Sequence, residues 1–199
     1  MLDNNNYEVL CLYTEALSCA LKHRDAHTQL HSQRIVLLSE ELGKSCSLSE
    51  NEIFILKIAS CLHDIGKIGI PDNILLKQGK HNPEEWEIMK SHSTKGADIV
   101  KKLPINNTEL ISNIVRHHHE HYDGCGYPDK LSGENIPIMA RIISVTDSYD
   151  AMTDTRPYHP AKTHKKAIEI LNDEKGNKSD PYVLNKFLSR IETSSYRVE

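Results

Sequence analysis

The sequence has no segment in which lysine and arginine form a basic stripe, and its formal net charge is −4 over 199 residues. This disfavours a long nucleic acid as partner, although a few local cations could still bind a small anion. It also lacks the run of about 20 apolar residues needed to cross a bilayer. The first residues show no basic region followed by an apolar stretch, so they do not resemble a secretory signal. We therefore expect a soluble cytoplasmic protein with no membrane contact.

Cysteine is sparse and odd in number. The chain has five cysteines and no C-x-x-C pair. An odd count without paired spacing favours free thiols in a reducing compartment.

The sequence also lacks convincing period-two alternation, internal repeats, low-complexity linkers and any composition shift that would mark a domain boundary. Apolar residues instead recur at helical spacing almost throughout. Hydrophobic residues make up 38% and charged residues 26%, which is typical of a globular chain. We predict a single all-α domain over residues 1–199, a helical bundle with no separate sensor domain.

Individual helices are delimited by local signals. Ser49 and Glu52 have the spacing of a capping box, and Asn82 followed by Pro83 is a typical helix start. The first helix could form a homodimer contact, although packing on its own core is the favoured alternative. The predicted helices cover residues 7–25, 31–42, 47–67, 82–103, 107–120, 136–153, 164–171 and 181–190.

Histidine is abundant, with 12 residues, and several histidines and aspartates fall on apolar helix faces. Taken singly, each is best explained as an ordinary core residue with one hydrogen bond. Taken together, they would impose a heavy cost of burying polar groups in one bundle, which one or two divalent cations would offset. The candidates are His31 at the head of the second helix, His63, Asp64, His92 on the stripe of Trp86 and Met89, His118 and Asp147.

The donor types restrict the metal. Imidazole nitrogen mixed with carboxylate oxygen suits iron, manganese, zinc, nickel or cobalt, and the absence of cysteine argues against a structural zinc site. Asp64 directly follows His63 and has two oxygens with which it could bridge two metals. Such a pair suits hydrolysis of a phosphate ester. His117 and His119 flank His118 on opposite edges of its helix stripe, and periodicity does not choose between them.

Three motifs together resemble the HD-GYP family of metal-dependent phosphohydrolases. They are HDIGKIGIP at 63–71, HHEHYDGCGYP at 118–128 and DSYDAMTDTRPY at 147–158, and the resemblance runs from about residue 24 to about residue 187. It implies a bacterial protein with a helical bundle of the HD type and a metal site in the bundle core. It also implies hydrolysis of the bacterial second messenger cyclic di-GMP to linear pGpG, GMP or both. It also implies two divalent cations, with iron and manganese favoured over zinc, nickel and cobalt.

The resemblance further assigns residues. It implies that His31, His63, Asp64 and Asp147 bind one metal, and that the bridging Asp64 with His92, His118 and His119 binds the other. Lys67 and Arg156 are implied to bind substrate phosphate, and Tyr127 to face the cyclic dinucleotide. Asp25 and Asp150 are implied to orient ligand imidazoles. The alternatives are a solvated Lys67, a Tyr127 that only anchors its loop, and an Arg156 paired with Asp150 or Asp154.

Some positions depart from the family pattern without removing a metal ligand. His121 and His159 stand where cations are usual, and Lys130 stands where glycine is common. His27 occupies the place of a glutamate found in members with three metals, and it brings no negative charge, so two metals are expected. The alternatives to hydrolysis of cyclic di-GMP are a weak or inactive module that binds a cyclic dinucleotide or partner, and a phosphodiesterase that prefers cyclic GMP-AMP.

Overall fold

The computed structural model describes residues 4–24, 26–104, 106–154 and 160–198, and within them the side chains of 4–11, 22 and 26–29 are not described. In these ranges the regular structure is helical, and an isolated bridge between Lys175 and Ser179 is the one β-type pairing. The prediction of an all-α fold is confirmed. The α-helices are α1 Asn4–Lys22, α2 Ala26–Ser45, α3 Glu50–Leu62, α4 Asp72–Leu75, α5 Pro83–Lys90, α6 His92–Lys101, α7 Thr108–His117, α8 Ile138–Thr153, α9 His164–Asp173 and α10 Pro181–Ile191, with 3-10 helices at Ile65–Gly69 and Gly133–Asn135.

The predicted helix starts of α3 and α5 are confirmed. The Ser49 hydroxyl accepts from the Glu52 N–H while the Glu52 carboxylate accepts from the Ser49 N–H. Asn82 forms the same reciprocal arrangement with Glu85, and Pro83 is the first residue of α5. Each cap stabilises its helix by about 1 kcal/mol, so local sequence fixes where these helices begin.

The core lies where α2 packs against α3, α8 and α10, while α6 packs against α7 and the first 3-10 helix. Ile35, Leu38 and Leu42 of α2 are almost completely buried in it, as their shared helix face predicts. Helix α8 is buried around most of its circumference, which confirms the prediction made from its apolar sequence. The polar side chains of these helices are therefore held at defined depths inside the bundle.

The single helix predicted over 82–103 was wrong, because the chain turns at Ser91. The Ser91 N–H bonds to the Ile88 carbonyl three residues back, and the Ser91 hydroxyl donates to the same oxygen at 2.5 Å. These bonds replace the regular helical ladder there. His92 therefore begins a new helix, α6. None of the described residues of α5 is buried, and Trp86 is 46% exposed, so the expected burial of its stripe was also wrong.

Helix α2 begins earlier than predicted, at Ala26, so His31 lies within the helix rather than at its head. Helix α1 packs against α2, α3 and the first 3-10 helix, in agreement with the alternative that this helix packs on its own core. Leu12 of α1 is exposed. Among the described residues, no helix combines the length and apolar character that a bilayer crossing requires.

Candidate metal centre

Two compact groups of imidazole and carboxylate side chains lie in the bundle. Within each group, one possible ligand atom of every residue lies within 4.8 Å of the others. The first group joins α2, the end of α3 and α8, and the second joins the start of α6 to the end of α7. The two groups are His31, His63 and Asp147, and His92, His118 and His119.

Three of these histidines are held in the same way by their own backbone. Nδ1 of His63 lies 2.7 Å from the Ser60 carbonyl, and Nδ1 of His92 lies 2.8 Å from the Met89 carbonyl. Nδ1 of His118 lies 2.6 Å from the Val115 carbonyl. A carbonyl oxygen can only accept, so each Nδ1 must donate a proton to it. In the neutral imidazole, Nε2 then carries a free lone pair directed into the site, as a metal ligand requires.

The Nε2 atoms themselves lack ordinary partners. Nε2 of His63 is buried and has no hydrogen-bond partner among the described residues. Nε2 of His92 lies 3.4 Å from that of His118 and 3.2 Å from that of His119. The lone pairs of His92 and His118 converge at 3.4 Å, where they repel, and their burial away from water is costly. A cation among them would remove both costs, so these residues fit a metal site.

His31 is held between two carboxylates. Its Nδ1 donates to Asp150 at 2.7 Å, and its Nε2 lies 3.1 Å from Oδ1 of Asp147. Burial alone would lower the pKa of His31, but the hydrogen bonds to Asp147 and Asp150 outweigh it and raise that pKa to about 9. Asp150 in turn accepts two hydrogen bonds from Arg34. The Arg34 Nε donates to Oδ1 at 2.6 Å, and its NH2 group donates to Oδ2 at 2.9 Å. Such a carboxylate fixes both the orientation and the basicity of an imidazole.

Asp64 lies between the two groups. Its Oδ2 is 3.5 Å from Nε2 of His63, and its Oδ1 is 3.5 Å from Nε2 of His92. Oδ2 also accepts a hydrogen bond from Lys67 at 2.6 Å. Burial raises the pKa of Asp64, but Lys67 and the imidazoles overcome that effect and hold the pKa well below its usual range. The carboxylate is therefore ionised, with one oxygen facing each group.

The second group is kept uncharged. Burial, together with the neighbouring imidazoles of His63 and His92, lowers the pKa of His118 to about 3. The pKa of His119 is lowered well below its usual range for the same reasons, and that of His92 is also lowered by burial. Neutral imidazole is the form that binds metal, so these ligand atoms need not lose a proton near neutral pH.

The structure separates His119 from His117, which helix periodicity left equivalent. The His119 ring lies against that of His118, with ring centroids 4.0 Å apart and the planes tilted by 43°. The His117 ring instead spans from the Asn113 carbonyl at 2.8 Å to Oδ2 of Asp129 at 2.8 Å. His117 therefore serves a hydrogen-bond network outside both groups.

The glycine-rich loop brings Tyr127 against the second group. The Tyr127 and His119 ring centroids are 4.9 Å apart, and the Tyr127 N–H bonds to the His119 carbonyl. At Gly126 an added Cβ would lie 2.2 Å from the His121 nitrogen, so only glycine fits there. Lys130 has φ of 55°, a left-handed conformation that explains why the family pattern has glycine at this position.

Sequence reasoning missed two contributors, the buried Glu120 and the half-buried Arg34. Glu120 is 2% exposed, and its Oε1 accepts from the Asp129 N–H at 2.7 Å, which closes the loop that carries Tyr127. Arg34 lies one turn after His31 and pairs with Asp154 as well as Asp150. The three-residue spacing from His31 was the available signal for Arg34.

Some predicted residues cannot be placed. Asp25 and Arg156 lie outside the described residues, and so does the side chain of His27. Asp150 and Asp154, the two carboxylates considered as alternative partners of Arg156, both pair with Arg34.

Gly66 controls how closely the Asp64 segment approaches α6, and its substitution by alanine should disrupt the site. A Cβ at Gly66 would lie 1.8 Å from the His92 carbonyl oxygen and 2.5 Å from the Gly96 nitrogen. Because both are backbone atoms, the 3-10 helix would have to move away from α6. We expect Gly66→Ala to lower the free energy of unfolding by roughly 3 kcal/mol and to reduce bound metal, measured by denaturant titration and elemental analysis.

Gly69→Ala is the matched control in the same 3-10 helix. Its Cβ would meet only the flexible Lys95 side chain, 2.9 Å away at the nearest atom. Equal losses of stability and metal in the two variants would contradict the role given to Gly66.

Comparisons with known proteins agree with this geometry. Residues 15–183 match the HD domain family. A cyclic di-GMP phosphodiesterase of Thermotoga maritima is 40% identical over 92% of this chain and 48% of its own length. A 3'3'-cGAMP-specific phosphodiesterase of Vibrio cholerae is 37% identical over 86% of this chain and 33% of its own length. The chain thus spans at most about half of each of these relatives.

A solved structure shares the fold. A cyclic GMP-AMP specific phosphodiesterase of Vibrio cholerae superimposes with a TM-score of 0.71 at 19% identity, over 92% of this chain and 49% of that one. With the family match over most of its length, and with the relatives and motifs described above, the chain belongs to the HD domain family and, within it, to the HD-GYP group.

Proposed function

We propose that this domain is a metal-dependent phosphodiesterase that hydrolyses cyclic di-GMP to linear pGpG, GMP or both. The observation that carries the proposal is the pair of buried ligand groups with the ionised Asp64 between them. The cyclic di-GMP phosphodiesterase activity named for a relative 40% identical over most of this chain supports the choice of substrate.

Two divalent cations are expected to bind, one in each group. Bound there, they would supply positive charge for the phosphoryl oxygens of the substrate. Asp64 is expected to contribute one oxygen to each cation, and Asp150 to orient His31 for binding. The expected ligands are His31, His63, Asp64 and Asp147 for one ion and Asp64, His92, His118 and His119 for the other.

Mixed nitrogen and oxygen donors suit iron, manganese, zinc, nickel or cobalt, and the resemblance to the HD-GYP family favours iron or manganese among them. No cysteine sulfur belongs to either group, which argues against a structural zinc site.

Substrate contacts are assigned to residues around the groups. Lys67 holds its ammonium 2.6 Å from Asp64, at the place from which it would meet a phosphate on the metals. Tyr127 faces the cyclic dinucleotide from the glycine-rich loop. Arg156, with its bidentate guanidinium, is assigned to phosphate, and Asp25 is assigned to orient a ligand imidazole.

A preference for cyclic GMP-AMP is the second candidate, because a 37% identical relative is named for that substrate. The two substrates differ in one base and share the phosphodiester geometry. The two ligand groups therefore do not discriminate between the two substrates, and contacts with the bases must determine which substrate is preferred.

The test is hydrolysis by the purified domain loaded anaerobically with ferrous iron or manganese. Cyclic di-GMP and 3'3'-cyclic GMP-AMP are supplied in parallel, and pGpG, GMP and the mixed linear product are separated chromatographically. We expect turnover of cyclic di-GMP that stops when a chelator removes the metal. Faster turnover of cyclic GMP-AMP would favour the second candidate. Binding of either compound without turnover by the metal-loaded protein would identify a non-catalytic module instead.

A further inference from the structure

Trp86 is the single tryptophan of the chain. It lies half-exposed near the second ligand group. It lies on α5, which has no buried residue in its described part, and it is 46% exposed. An exposed aromatic residue is unremarkable by itself. The residues around Trp86 are what indicate a function for it.

Trp86 is the outermost member of a row of rings that starts at the second ligand group. His119 and Tyr127 have centroids 4.9 Å apart, and Tyr127 and Trp86 follow at 6.4 Å with their planes at 82°. Trp86 is therefore one ring removed from a group that would hold a cation and a phosphate. Its edge-to-face contact with Tyr127 is a favourable aromatic geometry.

The surrounding residues hold this row in place. The capping box at Asn82 fixes the start of α5, and the His81 ring centroid lies 6.3 Å from that of Trp86. Lys90, one turn after Trp86 on the same helix face, places its ammonium 5.7 Å from the centroid of the Tyr127 ring. The wall formed by Trp86, Tyr127 and Lys90 thus combines two large rings with one cation.

A cyclic dinucleotide has two kinds of surface that a protein can recognise. Its phosphates are anionic and suit cations. Its purine bases are flat and aromatic, and they stack on aromatic side chains whatever their hydrogen-bonding edge. Among the described residues around the two ligand groups, Trp86 is an exposed large aromatic residue, and the half-buried Tyr127 lies next to it.

We propose that Trp86 stacks on a purine base of the bound cyclic dinucleotide and so determines affinity for this class of substrate. The inference rests on the proposed function, and it adds a base-binding position to it. Because stacking takes place in the bound substrate as well as in the transition state, it lowers KM and leaves kcat unchanged.

The test compares three substitutions of Trp86 in the full chain loaded with manganese. Loss of a stacked ring weakens binding by roughly 5- to 150-fold, so Trp86→Ala should raise KM for cyclic di-GMP by that factor at unchanged kcat and metal content. Trp86→Phe keeps an aromatic face and should restore KM to within a few-fold of the wild type. Trp86→Leu keeps apolar bulk without a π face and should behave like alanine.

Ile88→Ala is the matched control. Ile88 is an apolar residue of the same helix that is 39% exposed, and its truncation should leave KM unchanged. If Trp86→Leu restores KM as well as Trp86→Phe does, Trp86 only supports Tyr127 by bulk and the stacking inference is overturned. Unchanged KM in Trp86→Ala overturns it as well.

Intrinsic fluorescence gives an independent readout, because Trp86 is the only tryptophan. A hydrolysis-resistant phosphorothioate analogue of cyclic di-GMP should quench the emission saturably, whereas inorganic phosphate, which has no base, should not. Binding of the analogue by calorimetry without any change in emission would overturn the inference.

The results also separate this inference from the proposed function. Quenching by the analogue without hydrolysis of cyclic di-GMP would support the base-binding role and refute the phosphodiesterase. Hydrolysis with an unaltered KM in Trp86→Ala would refute only the base-binding role. Neither binding nor hydrolysis in the wild type would refute both.

Discussion

Replacing Asp64 with alanine is expected to abolish hydrolysis of cyclic di-GMP and to remove most of the bound metal. One oxygen of Asp64 lies 3.5 Å from His63 of the first group, and the other lies 3.5 Å from His92 of the second. Its loss would therefore deprive both cations of an anionic ligand at once. Lys67 would also lose its carboxylate partner and leave a positive charge beside the metals. Elemental analysis and a chromatographic turnover assay measure the two effects.

Asp64→Asn separates charge from shape. The amide keeps the size of the side chain but removes the negative charge, so we expect metal and activity to fall almost as far as in Asp64→Ala. Asp173→Ala removes an exposed carboxylate from α9 and should leave both unchanged. A full complement of two metals and normal turnover in Asp64→Ala would show that Asp64 does not bridge.

The second large effect is expected at His119 and not at His117. His119 belongs to the second ligand group, and its Nε2 lies 3.2 Å from that of His92. Loss of a residue that only supports a ligand weakens metal binding by about 10- to 100-fold, so loss of His119 itself should weaken it at least that much. Elemental analysis after dialysis, together with metal titration, provides the measurement for His119→Ala.

His117→Ala is the control two residues away. His117 bonds to the Asn113 carbonyl and to Asp129, so its removal should lower stability by about 1 kcal/mol with metal content unchanged. A metal-free His117→Ala variant beside a metal-replete His119→Ala variant would reverse the assignment.

Local sequence determined the helical character of the chain and several helix ends. The capping box at Ser49 and the Asn82–Pro83 start are formed as predicted, since caps are made by residues three positions apart in the sequence. Apolar periodicity also identified the buried faces of α2 and α8. The motifs identified the HD-GYP family, because their residue types and spacing are specific.

The prediction from local sequence failed at Ser91. There the serine hydroxyl donates to a backbone carbonyl of α5, and the helix ends at Lys90. Periodicity continues across that break, so the pattern read as a single helix. The early start of α2 at Ala26 was also missed.

Which polar side chains meet was decided by tertiary structure alone. His63 and His92 belong to different groups although both face the interior, and Asp64 lies between those groups because Gly66 lets its segment pack directly on the backbone of α6. The sequence by itself determined the helices, the family and the candidate ligands. Helix periodicity left His117 and His119 equivalent, and the family resemblance favoured His119. The packing of helices distant in sequence places His119 in the second group and His117 against Asp129, and it leaves Trp86 exposed beside Tyr127. The position of a residue along a helix determines roughly which way its side chain points from the helix axis. Which residues that side chain contacts depends on where the neighbouring helix lies.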